Sequence, residues 1–153
     1  QLVLLKKLSL QEAAILYCKH GIAGNDGLIS SFKTKYKYNL LRPVTYIRSV
    51  LGYSNWNPVL STPAHPEYAS NHAIISSAFA EVLEDTFGKN FSFTDNTYES
   101  LYGLRHLNSF RDYAEEGAFS RLVGGIHYRF TALEGLKQGE RVGKLVNKLR
   151  FKK

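Results

Sequence analysis

The stretch SRLVGGIH, Ser120 to His127, packs an arginine, two adjacent glycines and a histidine into a segment that otherwise reads as buried helix. A buried arginine needs an anion or a hydrogen-bonded partner. Each glycine weakens a helix interior by roughly 1 kcal/mol relative to alanine. Arg121 and His127 stand six positions apart, which on a regular helix leaves them about 120° apart around the axis. They can converge on one point only where the helix bends or stops, and Gly124 and Gly125 allow that. The competing reading is a plain helix end with an incidental histidine.

Working outward, the chain reads as mostly helical. Ser9 and Glu12 form a capping box before LQEAAILYCKH, and Gly21 is a natural stop. A loop, GIAGNDG, is expected over 21–27, with Asp26 capping a second helix, LISSFKTKYKYNLL, that ends at Pro43. Residues 52–69 carry Pro58, Pro63 and Pro66 and read as a long irregular loop, a feature often tied to function. A helix begins at Ser70, with Ala73, Ile74, Ala78 and Val82 on its apolar face and Gly88 at its end. FSFT is short and β-rich without a sign of a sheet. Ser109 and Asp112 open another helix, and the last helix aligns Val142, Leu145, Val146 and Leu149 on one face. The fold class is all-α, a helical bundle.

Composition narrows the function. The 153 residues fit a single domain, with 44% hydrophobic and 22% charged residues, enough for a core and inconsistent with disorder. The apolar runs are too short to span a bilayer. Cys18 is the only cysteine, which excludes an intrachain disulfide and a multi-cysteine zinc site. The sequence has no methionine, so it is expected to be a processed product or the C-terminal part of a longer chain. The net charge of +7 fits a solvated basic surface, helped by the tail KLVNKLRFKK, or the steering of small anions. No helix-turn-helix, zinc-finger or RNA-recognition signature accompanies it, so specific nucleic-acid binding is not expected.

Three segments share one chemistry. Lys35 and Arg42 are seven positions apart, about two helical turns, which places both cations on one face if the helix runs through. Ser70 starts a helix, where a hydroxyl and unpaired N–H groups can hold an oxyanion, and His72 falls in its first turn. Arg121 and His127 complete the set. Each segment alone also reads as ordinary surface or cap. Together, two arginines, a lysine, two histidines and a helix start suit a tetrahedral dianion, with one histidine to attack or coordinate and another to move protons.

The ordered pattern K-x6-RP (Lys35, Arg42, Pro43), an Ala69-Ser70-Asn71-His72 block in the place of P-S-G-H, and SR-x5-H (Ser120, Arg121, His127) resembles one superfamily. It joins vanadium-dependent haloperoxidases to type 2 phosphatidic acid phosphatases and bacterial acid phosphatases. KYKYNLLRPVTYIR, TPAHPEYASNHA and SRLVGGIHYRF look like its soluble bacterial haloperoxidase-like branch. The resemblance covers about residues 10–145 and implies further helices before the first motif. It implies that Lys35, Arg42 and Arg121 hold the equatorial oxygens of vanadate or phosphate. Ser70 and the Asn71 backbone N–H would complete the cradle, His127 would be vanadium ligand or phosphoryl acceptor, and His72 the acid–base partner. It also implies an exported protein whose small partners are halide and peroxide, or an anionic phosphoester.

Three departures from the family pattern bear on this. Ala69 replaces a proline, and Asn71 replaces a glycine at a turn where the left-handed conformation is expected. Thr131 stands where many relatives carry an aspartate that orients the histidine, leaving Glu134 and Glu115 as candidates for that task. Tyr53, Trp56, Tyr68 and Phe130 are either entrance residues or core. Four functions remain open at this stage: a vanadate-dependent haloperoxidase, an acid-phosphatase-type phosphomonoesterase using a phosphohistidine, a catalytically degenerate oxyanion-binding domain, and a non-specific basic nucleic-acid binder.

Overall fold

A computed structural model describes residues 1–151; Lys152 and Lys153, the end of the basic tail, lie outside the described residues. The elements in chain order are α1 (Leu2–Leu5), α2 (Leu10–Tyr38), α3 (Pro43–Ser49), α4 (Asn71–Phe87), β1 (Phe93–Asp95), α5 (Glu99–Tyr102), β2 (Arg105–Leu107), α6 (Phe110–Val123) and α7 (Arg129–Asn147). The protein is a helical bundle with α4 at its centre and α2, α6 and α7 packed around it.

The capping box at Ser9 and Glu12 starts α2 as expected, but the helix does not stop at Gly21. It runs unbroken through 21–27 to Tyr38, so there is no GIAGNDG loop and Asp26 caps nothing. A Cβ at Gly24 would press on the Phe79 ring at 2.9 Å, and one at Gly27 would touch Ile74 and Ile75 of α4. These glycines give close helix–helix approach, and that packing offsets their low helix propensity. The true end is Asn39, left-handed with φ 47°, a conformation asparagine tolerates. Pro43 does not terminate α2; it is the first residue of α3, where its missing N–H costs nothing.

Two further expectations change. FSFT does contribute to a sheet: Phe93–Asp95 pairs antiparallel with Arg105–Leu107. The pair is held by a Thr94–His106 hydrogen bond and an Asp95–Arg105 ion pair, and Phe93 stacks on Phe110. Along α7, Val146 is buried, but Leu145 and Leu149 are 63% and 45% exposed. The buried stripe is instead Thr131, Ala132, Gly135, Leu136, Gly139, Gly143 and Val146. A Cβ at Gly139 would overlap the Ile74 carbonyl oxygen, so α7 lies almost backbone to backbone on α4. Ala73, Ile74, Ala78 and Val82 are fully buried, as the α4 pattern requires. Arg111 of α6 bridges Glu81 of α4 and Glu140 of α7. Among the described residues no helix is long and apolar enough to cross a membrane.

This packing brings the C-terminal end of α2, the N-terminus of α4 and the α6–α7 turn together. Residues 52–69 form the expected irregular segment. It is tied to the turn by a Leu60 N–H to Gly124 carbonyl bond of 3.1 Å, and by Arg48, which donates to the Trp56 carbonyl and to Asn57.

Candidate functional site

The α6 helix stops at Val123, Gly124 caps it, and Gly125 takes φ 77°. A Cβ at Gly125 would also meet Pro58 and Trp56 at about the limit of contact. The chain thus turns between Arg121 and His127, as their spacing demanded. His127 is buried just before α7.

Lys35 and Arg42 do not share a helix face, because α2 ends between them. They converge by another route, since both donate to backbone carbonyls of the strap formed by residues 65–69. Lys35, fully buried, donates to the carbonyls of Pro66, Glu67 and Ala69 at 3.0, 2.9 and 2.7 Å. Those are all the protons an ammonium has. Burial and then Arg42 lower the Lys35 pKa to about 8, while Glu67 pulls it up. Arg42 donates to the His65 carbonyl at 3.0 Å and the Ile126 carbonyl at 2.8 Å. Its guanidinium also lies 3.3 Å from His127 Nε2 and 3.0 Å from His65 Nδ1.

Glu67 was not singled out in the sequence, and it is completely buried. Its Oε1 accepts from His127 Nδ1 at 2.5 Å, from the Tyr128 N–H at 3.1 Å and from the Thr131 hydroxyl at 2.5 Å. Neither candidate named for orienting the histidine does so: Glu134 pairs with Lys137, and Glu115 is an exposed residue of α6. The PEY triplet in the loop was the only available signal for Glu67, and nothing local distinguishes it from a solvated acid. His65 was also missed; it packs edge-on against Phe32 with ring centroids 5.2 Å apart.

With Nδ1 donating to a carboxylate, the neutral His127 ring carries its lone pair on Nε2, which faces Arg42. Desolvation lowers the His127 pKa; the Glu67 hydrogen bond and charge oppose this, and Arg42 and Lys35 add to it.

Ser70 caps α4: its Oγ accepts from the Ala73 N–H at 3.5 Å, and its own N–H reaches the Thr131 carbonyl at 3.4 Å. Asn71 is the first residue of α4 and does not adopt a positive φ, so the left-handed turn expected there is not required. Its side-chain oxygen accepts from Ser31 of α2. The first N–H groups of α4 have no acceptor within the helix. His72 stands in the first turn of α4, exposed. Its pKa is lowered by partial desolvation, then by the charges of Arg121 and His127. Arg121, in the last turn of α6, bonds Ser120 Oγ at 3.1 Å.

Of the four aromatics, Trp56 abuts the Gly125 turn, and Tyr68 stacks on Phe130, which stacks on Tyr128. Tyr53 is exposed.

The comparisons with known proteins set this bundle in the superfamily joining vanadium haloperoxidases to type 2 phosphatidic acid phosphatases. Within it, residues 15–152 match the family described as the VCPO second helical-bundle domain, and the chain belongs to that family. A bacterial vanadium-dependent iodoperoxidase structure superposes with a TM-score of 0.88 at 42% identity, over 97% of this chain and 36% of that one. A bacterial vanadium-dependent chloroperoxidase in its holo form, 24% identical over 85% of this chain and 34% of its own, shares the fold with a TM-score of 0.72. The vanadium-dependent bromoperoxidase of Ascophyllum nodosum is 33% identical over 94 residues, 53% of this chain and 17% of that protein. The chain therefore spans about a third or less of the length of these relatives.

Proposed function

We propose that this domain supplies the vanadate-binding centre of a haloperoxidase that oxidises halide with hydrogen peroxide. One observation carries the reading: His127, fixed through Nδ1 by Glu67, presents its Nε2 lone pair beside the Arg42 guanidinium at 3.3 Å. The donor set fits vanadate. A neutral imidazole supplies the coordinating atom, and guanidinium groups and helix N–H groups supply charge and donors for the oxygens.

In this reading His127 Nε2 is the vanadium ligand. Arg42 and Arg121 would neutralise the oxygens of vanadate, and Ser70 with the Asn71 N–H would complete the cradle at the start of α4. Lys35 contributes its charge from behind the strap, and reaches an oxygen only by exchanging a carbonyl partner. His72, exposed and holding its proton weakly, takes or returns a proton at the open side. Bound vanadate supplies the Lewis-acidic centre that activates peroxide toward halide. The iodoperoxidase relative makes iodide the first halide to assay, and the resemblance makes export the expected location.

The test is the complete protein with peroxide and iodide or bromide, with and without orthovanadate, beside a phosphomonoester assay. Halide oxidation is expected to depend on orthovanadate and to be inhibited by phosphate. Its absence at every vanadate concentration overturns the reading. Ester hydrolysis in its place, inhibited by vanadate, would assign the same residues to the phosphatase alternative, with His127 as phosphoryl acceptor.

A further inference from the structure

We infer that Glu67 is the positioning residue that fixes the tautomer and aim of His127, with Thr131 as its partner, so that a carboxylate carried on the strap orients a ring carried on the α6–α7 turn. The inference rests on the reading of His127 as the ligating histidine.

Three observations converge. The His127 Nδ1, the Tyr128 N–H and the Thr131 hydroxyl all donate to the same oxygen, Glu67 Oε1. The second oxygen, Oε2, is buried with no partner among the described residues. Every hydrogen bond that the carboxylate accepts among the described residues therefore comes from the segment bearing His127. Thr131 Oγ1 also lies 2.9 Å from the Tyr128 carbonyl, but a hydroxyl has one proton, and the 2.5 Å approach to the carboxylate is the stronger claim on it.

The other end of the linkage is equally fixed. Lys35 donates to the carbonyl of Glu67 itself and to those of Pro66 and Ala69 on either side. The Glu67 N–H donates to the Leu40 carbonyl at 3.0 Å. The backbone that carries the carboxylate is thus pinned before the side chain reaches the histidine. A metal-ligating histidine is usually held in this manner through its remote nitrogen, and loss of the holding group typically weakens metal binding by roughly 10- to 100-fold. Here the holding group comes from a segment 60 residues away in the chain. Thr131, four positions after His127, supports that carboxylate in place of carrying one.

The experiment compares wild type with Glu67→Gln, in the complete protein with nitrogen-labelled histidine. NMR reads which His127 nitrogen carries the proton at fixed pH, without ligand, and calorimetry reads orthovanadate affinity. Wild type is expected to show Nδ1–H with an unprotonated Nε2. In Glu67→Gln the Nε2–H form should appear, and affinity should fall by roughly 10-fold or more. A folded Glu67→Gln protein with the wild-type nitrogen spectrum and affinity overturns the inference. So does one that is merely less heat-stable with an unchanged spectrum. Should Glu67→Gln fail to fold, Thr131→Val carries the test. It should weaken vanadate by about fivefold, the loss of one hydrogen bond, and unchanged affinity overturns the inference. Wild type with the expected spectrum and no affinity for orthovanadate overturns the haloperoxidase reading and leaves the role of Glu67 standing.

Discussion

Arg42 and Arg121 carry the same group in the proposed site, and the fold treats them differently. Arg42 is buried, and its donors meet two backbone carbonyls and two imidazole nitrogens. Arg121 is half-buried, and its hydrogen bond among the described residues goes to its neighbour Ser120. Lys35 and Glu67 belong with Arg42, since every one of their contacts also ties a loop in place. His72 belongs with Arg121, exposed at the first turn of α4. One side of the site is therefore part of the fold's polar framework, where a buried donor or acceptor must be paired. The other side can follow a ligand without breaking that framework.

The largest effect is expected from His127→Ala, which removes the proposed vanadium ligand. Vanadate-dependent halide oxidation should fall by about 10³-fold or more, read by steady-state assay. Residual activity above a tenth of wild type would place the chemistry elsewhere.

Next, the two arginines separate by stability. Arg42→Ala leaves the carbonyls of His65 and Ile126 unpaired and should cost about 3 kcal/mol, measured by denaturant unfolding. Arg121→Ala should cost under about 1 kcal/mol while still impairing vanadate binding. Equal destabilisation by both would break the distinction between the two sides.

Phosphate or vanadate should raise the melting temperature, by the equivalent of about 2.7 kcal/mol at a hundredfold excess over Kd. Arg121→Ala should shrink that rise with little change in the ligand-free value. A full rise in Arg121→Ala would mean that Arg121 stays clear of the anion.

The smallest effect concerns pH. Burial lowers the pKa of His20, His65, His72 and His127. A histidine depressed in the folded state takes up its proton first in the unfolded chain. Its contribution to stability is complete above the ordinary value of about 6.5 and is lost as pH falls below that. The melting temperature should drop by a few degrees between roughly pH 7 and 5. Arg121→Ala should move the His72 titration upward, toward the ordinary value, as followed by NMR. A melting temperature that rises on acidification contradicts the desolvation of these rings.

Much of the site was legible because its parts are local. Ser70 had to start a helix, Gly124 and Gly125 had to interrupt one, and Arg121 and His127 could meet only across that interruption. The pairing of Lys35 with Arg42 was anticipated, although by the wrong route. Seven residues suggested two turns of one helix, whereas α2 ends at Asn39 and the strap brings the two cations together. The α2 glycines misled for a related reason. Gly21, Gly24 and Gly27 look like a loop when helix propensity is read alone, and the packing of Phe79 on Gly24 and of Ile74 on Gly27 reverses that preference.

The sequence by itself determined the all-α class, the helix starts at Ser9, Ser70 and Ser109, and the glycine interruption ahead of His127, because caps and glycine turns act over a few positions. Only the tertiary structure decided that Glu67 holds His127 from 60 residues away and that Lys35 is tied to the strap behind it. It alone decided, too, that α7 meets α4 through glycines in place of leucines. Those outcomes depend on which buried polar groups and which backbones come within contact distance, and chain-local spacing holds no record of that.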